Sequence, residues 1–393
     1  MISGYAHPDF QEVADTLDRQ LTSEGPGGSS VAVYHEGEKV VDIWGGTRDW
    51  QGAPWEESTM VMSFSTTKGV ATTCLHMCAD RGLIDYDDKV AKHWPEFAQN
   101  GKEEITVRQV MCHEAGLHRL GDCVDAAEKM RDWDSMVAAI ERMTPAYEPG
   151  TANGYHALSY GWLVGELVRR VSGKPIDQFI IDEIAAPLGE KGLYCGLPES
   201  ERSRVASLLL ASMPVPGATA EGGGGMALDP EVLEEMRQGM STVGPPGVEA
   251  FFATDPAPLE VPMPAVNGVF EARSLAHMYS VLACGGESNG ERLLSSETLE
   301  KAITIQNTRP DLVIGIPMMF RLGYHAIFTS NGVLPRGFGH FGFGGSGAWA
   351  DPDLKLSCAM TINRLSSLTV GDLRLIEIGG AAVRGATSRA ATG

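Results

Sequence analysis

The chain has 393 residues, 43% hydrophobic and 21% charged, the composition of a globular protein with ample material for a core. Its length suggests two domains, or one large domain carrying an insertion. A formal charge of -20 repels phosphate backbones and anionic membranes, which argues against a nucleic-acid or membrane partner. No run approaches the roughly 18 apolar residues of a membrane-spanning helix. The opening residues, Met1 to Pro8, lack a basic and then apolar leader, so no signal peptide is expected. The seven cysteines are odd in number and scattered, which fits reduced thiols and a cytoplasmic setting.

Residues 9–21 read as an amphipathic helix, with Phe10, Val13, Leu17 and Leu21 at helical spacing. Residues 30–35 and 38–44 read as two strands of a hairpin. Residues 60–64 lead into Ser63-Phe64-Ser65-Thr66-Thr67-Lys68-Gly69, followed by a stretch without Asp, Glu, Lys or Arg that ends near Arg81-Gly82, a glycine C-cap. That helix is apolar nearly all round and should be buried. Within it, Cys74, His76 and Cys78 do not make a metal site. On a helix His76 points away from the cysteine pair, and no further ligands stand at zinc spacing.

A more helical middle follows. Residues 106–113 form a short helix with Thr106 as N-cap, residues 132–142 a second, 158–172 a third closed by Gly173, and 175–184 a fourth. Residues 210–268 are the least regular part, with Gly- and Pro-rich loops of the kind used as lids or pocket rims. Residues 272–283 form another helix. Strand-like runs return at 320–327, 348–350 and 356–363, before a last helix at 373–383. Strand-rich ends around a helical middle predict residues 1–65 and 295–393 as one α/β unit, 66–294 as a mostly helical one, and the active site at their interface.

Three stretches carry chemistry. Ser65 and Lys68 stand in S-x-x-K spacing, one turn apart on one helix face. A lysine in a buried helix is costly unless paired or neutral, and a desolvated amine beside a hydroxyl activates a nucleophile. Taken alone, the same residues also read as a helix cap and an incidental lysine. Tyr155 follows the Pro149-Gly150 break. A phenol beside a buried ammonium has a lowered pKa and carries protons, although an isolated tyrosine is equally a core residue. Residues 338–347 hold five glycines in ten positions, either a bare hairpin or an edge strand open to a ligand.

Together these stretches resemble the serine β-lactamase and penicillin-binding-protein superfamily, of which S-x-x-K is a signature. The resemblance is closest to the class C β-lactamase branch and, within it, the family VIII carboxylesterases. It extends from about Gly28 to Ile376 and includes His113-Glu114-Ala115-Gly116-Leu117 and Tyr155-His156-Ala157. It implies an α+β fold of β-lactamase/transpeptidase type: an antiparallel sheet flanked by helices, built from both termini, with an α-rich inserted domain. It implies Ser65 as nucleophile, Lys68 as its activating partner, Tyr155 as the tyrosine of Y-x-N, and the backbone N–H groups of Ser65 and Phe343 as the oxyanion hole. His340, Phe341 and Gly342 would occupy the substrate-binding K-T-G position. No cofactor or metal is implied.

Two departures separate this chain from the antibiotic-hydrolysing members. Ala157 replaces the Y-x-N asparagine, and His340 and Phe341 replace the K-T-G lysine and threonine. His340 is at most partly charged near neutral pH. The Ser-Asp-Asn triplet and the G-x-S-x-G elbow of α/β-hydrolases are missing as well. The expectation is a carboxylesterase acting on short to medium acyl esters through an acyl-enzyme on Ser65. A β-lactamase, D-amino-acid amidase or acyltransferase using the same site is the alternative. A catalytically dead sensor or scaffold is disfavoured by the intact Ser65, Lys68 and Tyr155. Trp133, Trp162, Phe251, Phe252 and Trp349 are expected in the core, with an acyl pocket as their other use.

Overall fold

The computed structural model describes residues 2–23, 25–210, 243–253, 258–366 and 372–392. The sheet that frames the molecule takes strands from both ends of the chain. They are β1 (Ile2–Ala6), β2 (Gly28–His35), β3 (Glu38–Gly46), β4 (His325–Thr329), β5 (Gly332–Phe341), β6 (Gly347–Asp351) and β7 (Leu356–Ile362). The order is β1-β3-β2-β7-β6-β5-β4, and every pairing is antiparallel. The two halves meet where β7 pairs with β2 along seven residues, from Leu356 opposite His35 to Ile362 opposite Ser29. The β2–β3 hairpin closes on Glu36 and Gly37, both at positive φ (54° and 79°), as a tight mirror-type turn requires.

Helices cover both faces. On one lie α1 (Gln11–Ser23) and a C-terminal helix, Leu373–Thr392, whose apolar residues share a cluster with Val31, Val33, Trp349, Cys358 and Met360. On the other lie α2 (Thr66–Asp80), α3 (Trp133–Arg142), α4 (Ser159–Ser172) and α5 (Ala272–Ala283), in the larger cluster that also takes Ala32, Phe338, Ala348 and Ala359. Strand alternation makes this split: neighbouring residues of one strand face opposite cores.

Local signals hold where the chemistry is local. Thr106 forms a full capping box with Gln109, Gly173 ends α4 at φ 75°, and Gly82 follows α2 at φ 70°. Residues 66–78 of α2 are all buried. Elsewhere the elements differ from expectation. The strand expected at 320–327 begins only at His325, because Gly323 (φ 75°) and an Arg321 N–H bond to the Tyr324 carbonyl turn the chain first. The last helix runs nine residues beyond 383, held by Arg384 on Glu12 and Arg389 on Glu38. The helix expected at 175–184 is α-helical over Ile176–Ile180 and then widens to a π turn over Ile181–Ala185. The edge strand β1 has no expectation behind it, since Ser3 and Gly4 break its apolar alternation. The Gly-rich loops at 211–242 and the segment 254–257 lie outside the described residues.

Candidate active site

Ser65 stands at the entry of α2, on a turn that the preceding residue strains. Phe64 holds φ at 47°, unusual for a bulky side chain. That turn lifts Ser65 to the half-exposed N-cap position, with its hydroxyl free of the capping role. The Thr66 and Thr67 N–H groups bond back to the Ser63 and Phe64 carbonyls, fixing the turn. One helical turn further, Lys68 is fully buried. Its Nζ lies 3.0 Å from Ser65 Oγ, 2.7 Å from the Ala157 carbonyl oxygen and 2.9 Å from the Ala265 carbonyl oxygen.

No carboxylate pairs with Lys68 among the described residues, and burial holds its pKa well below the usual lysine value. A neutral amine carries two N–H donors and one lone pair. With the two carbonyls taking the donors, the lone pair faces Ser65 Oγ. The arrangement therefore suits a base aimed at the serine hydroxyl.

Tyr155 sits two residues after Asn153, just before α4, and hydrogen-bonds Ser65 through its side chain. Lys68 Nζ stands over its ring, 4.9 Å from the centroid. The expected lowering of the phenol pKa does not occur. Burial pushes it up, the Ser65 hydrogen bond only partly offsets this, and Asp311 adds to the rise. The physical reason is that Lys68 is itself driven toward neutrality and offers no cation to stabilise a phenolate. Tyr155 is thus held as a protonated phenol.

The third stretch closes the site from the sheet. In β5, His340 faces Ala348 and Phe341 faces Gly347 across the β6 register. Alternation sends His340 toward α2: a Cβ built on Gly69 would lie 3.5 Å from His340 Cβ. The Phe341 side chain goes to the opposite face, into the α1 and C-terminal helix cluster, so only its main chain borders the site. Gly342 is needed for close approach, since a Cβ there would fall 2.3 Å from the Ser63 carbonyl and 2.8 Å from Thr66 Oγ1. The next residue, Phe343, packs edge-on to Phe64, with ring centroids 5.5 Å apart. The backbone N–H groups of Ser65 and Phe343 have no partner among the described residues.

His340 is buried, with Nδ1 2.9 Å from the Phe341 carbonyl and no partner for Nε2 among the described residues. Burial first, then the neighbouring His325 and Lys68, push its pKa well below the usual imidazole value. The K-T-G lysine is therefore replaced by a neutral ring.

Several contributors carry no sequence signal. The Ala157 and Ala265 carbonyls cradle Lys68, and main-chain acceptors can stand under any side chain. Ala265 belongs to a turn tied to α2 by Ser63 N–H on the Gly268 carbonyl and Gly268 N–H on Thr67 Oγ1. Gly161 lets α4 approach this turn, since a Cβ there would meet the Ala265 nitrogen at 2.5 Å. His113 packs on the Tyr155 ring at 4.8 Å. The five aromatics considered for an acyl pocket are core residues, apart from half-buried Trp133, which bonds Glu166. Trp349 lies on the sheet face opposite His340.

This fold, an antiparallel sheet with helices on both faces and a serine–lysine–tyrosine cluster at the end of β5, is that of a serine hydrolase of the β-lactamase/transpeptidase class. The beta-lactamase family model matches residues 13–381, and the chain belongs to that family. Among similar proteins, "Esterase/beta-lactamase LipL" of Mycobacterium tuberculosis is 38% identical over 374 residues, covering 93% of this chain and 84% of that protein. The crystal structure of a family VIII carboxylesterase superposes with a TM-score of 0.86 at 34% identity, covering 98% of this chain and 100% of that one. A penicillin-binding protein homolog from Caulobacter crescentus superposes with a TM-score of 0.83 at 32% identity, over 98% and 100% of the two chains. No helix among the described residues is long and apolar enough to cross a membrane.

Proposed function

We propose that this protein is a carboxylesterase that cleaves esters of short to medium acyl chains through an acyl-enzyme on Ser65. The observation that carries the reading is the buried Lys68 amine, without a carboxylate partner among the described residues, 3.0 Å from Ser65 Oγ and beside a protonated Tyr155. Lys68 takes the Ser65 proton as Oγ attacks the ester carbonyl. The oxyanion rests between the Ser65 and Phe343 N–H groups, and loss of such a donor costs about 100- to 1000-fold in turnover. Tyr155 protonates the leaving alcohol, and the protonated Lys68 amine next to its ring stabilises the phenolate left behind. Water then attacks the acyl-enzyme, giving its proton to the Tyr155 phenolate, and Lys68 returns its proton to Ser65 Oγ as the acid is released.

Ester rather than β-lactam preference rests on His340. A β-lactam antibiotic carries a carboxylate, and a buried neutral imidazole supplies no cation to receive it. The half-buried Phe64 and Phe343 rings offer an apolar wall for an acyl chain instead. The second reading, a β-lactamase, is favoured by the double name of the Mycobacterium relative; an amidase or an acyltransferase would use the same machinery. A substrate panel separates them. p-Nitrophenyl butyrate should turn over far faster than a chromogenic cephalosporin or a D-amino-acid amide, and Ser65→Ala should lose both turnover and covalent labelling by an organophosphonate ester. A cephalosporin rate equal to the ester rate overturns the esterase assignment. Labelling that persists in Ser65→Ala overturns the nucleophile.

A further inference from the structure

Asp311 lies in the loop between the helix Ser296–Ile303 and β4, and it is 2% exposed. Its Oδ1 accepts three main-chain N–H groups: Tyr155 at 3.2 Å, Val313 at 2.8 Å and Ile314 at 2.9 Å. Its Oδ2 is buried without a partner among the described residues. The loop is tied back to the same segment, since Leu312 N–H donates to the Asn153 carbonyl at 2.8 Å and Asn153 bridges to Asp311. Arg309, two residues away, does not neutralise Asp311, because it is engaged with Glu114 and with the Gly150 and Thr151 carbonyls.

The groups facing Tyr155 come from several elements. Lys68 approaches from α2, His113 from the turn after the helix Val107–Met111 and His340 from β5. Phe320 stacks on the ring at 6.3 Å, and Tyr160 of α4 shares His113 as a neighbour. Burial drives the amine and both imidazoles toward their neutral forms. Asp311 is the remaining charge of this set. Burial raises its pKa above the usual carboxylate value, and the three N–H donors on one oxygen offset part of that rise in favour of the carboxylate.

We propose that Asp311 is a positioning residue for Tyr155, holding the tyrosine main chain through Oδ1 and setting the field at its ring through its negative charge. The proposal rests on the reading of Tyr155 as the proton donor to the leaving alcohol. Two effects follow. The main-chain tether keeps the phenol within reach of Ser65, where a displacement of about 1 Å costs on the order of 100-fold. The negative charge opposes phenolate formation, so the hydroxyl keeps its proton until a leaving alkoxide takes it.

The two effects are separable. Asp311→Asn keeps an Oδ1 acceptor for the three N–H groups and removes the charge; Asp311→Ala removes both. Hydrolysis of ethyl butyrate, followed in a pH-stat, is the suitable assay, because an ethoxide leaving group needs the donated proton. Asp311→Ala should lower kcat by about tenfold or more with KM changed much less, the signature of an interaction realised in the transition state. Asp311→Asn should recover most of that loss in kcat and shift the alkaline limb of kcat/KM to lower pH. A purely structural residue would change the melting temperature and leave that limb in place. Tyr155→Phe is the control, expected to lose about 100-fold or more. An Asp311→Asn profile that overlays the wild type while Tyr155→Phe is inactive overturns the proposal. A Tyr155→Phe enzyme of near-normal rate overturns the reading beneath it instead. Should Asp311→Ala not fold, the Asp311→Asn profile decides alone.

Discussion

Four histidines and a fifth, His277, sit in this molecule under opposite electrostatics. Around the Ser65–Lys68 pair, His113, His156, His325 and His340 are each no more than 2% exposed. None of the four pairs with a carboxylate among the described residues; their ring nitrogens meet main-chain groups or nothing. Burial pulls all four pKa values down, to about 3 for His156 and about 4 for His325. On α5, His277 is held differently. Its Nδ1 lies 2.8 Å from Glu190 Oε1 and its Nε2 3.0 Å from Glu291 Oε2, with Tyr34 stacked on the ring. Burial pulls its pKa down as well, but the Glu190 hydrogen bond and the two carboxylate charges outweigh it and raise the result. Desolvation alone thus favours neutral rings, and flanking acids shift an imidazole toward its cationic form. Lys68 belongs to the first environment, which suits its amine to the proposed role of base.

The sharpest way to break this comparison is to force a charge into the first environment. Lys68→Arg keeps a permanent cation where the neutral amine stands. It should lose as much activity as Lys68→Ala, about 1000-fold or more in kcat/KM, within the usual range for a general base. An arginine enzyme within tenfold of wild type would mean that the site runs on fixed positive charge.

A second test reads stability. The four neutral histidines bind fewer protons folded than unfolded once the pH falls below 6.5, so stability falls as the solution is acidified. For His325 this window runs from 6.5 down to about 4. Each such group contributes about 1.4 kcal/mol per pH unit within its window. Urea unfolding at several pH values should show this slope, and His325→Gln should flatten it. A slope unchanged in the variant would place a proton on His325 already at neutral pH.

The smallest effect belongs to His277. Its folded pKa is raised above 6.5, so its contribution is fully present below that pH and disappears as the pH rises through the folded value. His277→Gln should cost about 1 kcal/mol at mildly acidic pH, given its partial exposure. The gap to wild type should close in alkaline solution. An equal loss at every pH would make the clamp a matter of packing.

Legibility in the sequence followed the range of each interaction. The S-x-x-K pair, the Thr106 cap, the Gly173 stop and the β2–β3 hairpin all rest on contacts within a few residues, and their side chains announce them. The strand at 320–327 was displaced because Gly323 and the Arg321–Tyr324 turn answer to the packing of Thr72 and Tyr160 against Gly323. The direction of the Tyr155 shift was inverted for a related reason. Motif logic treats Lys68 as an ammonium, whereas its charge depends on what surrounds it, and that surrounding comes from α4 and from the turn at Ala265.

Residue type and spacing mark the Ser65–Lys68 pair and, together with the later motifs, the family. A hydroxyl and an amine one helical turn apart are neighbours in any α-helix. Tertiary structure decides their state. Only the folded chain brings Ala157, Ala265 and Asp311 to Lys68 and Tyr155 from 89, 197 and 156 residues away. Only the pleat of β5 turns His340 toward α2 and the Tyr155 ring and Phe341 away from them. Protonation answers to dielectric and to neighbouring charge, which are properties of an assembled volume rather than of a segment of chain.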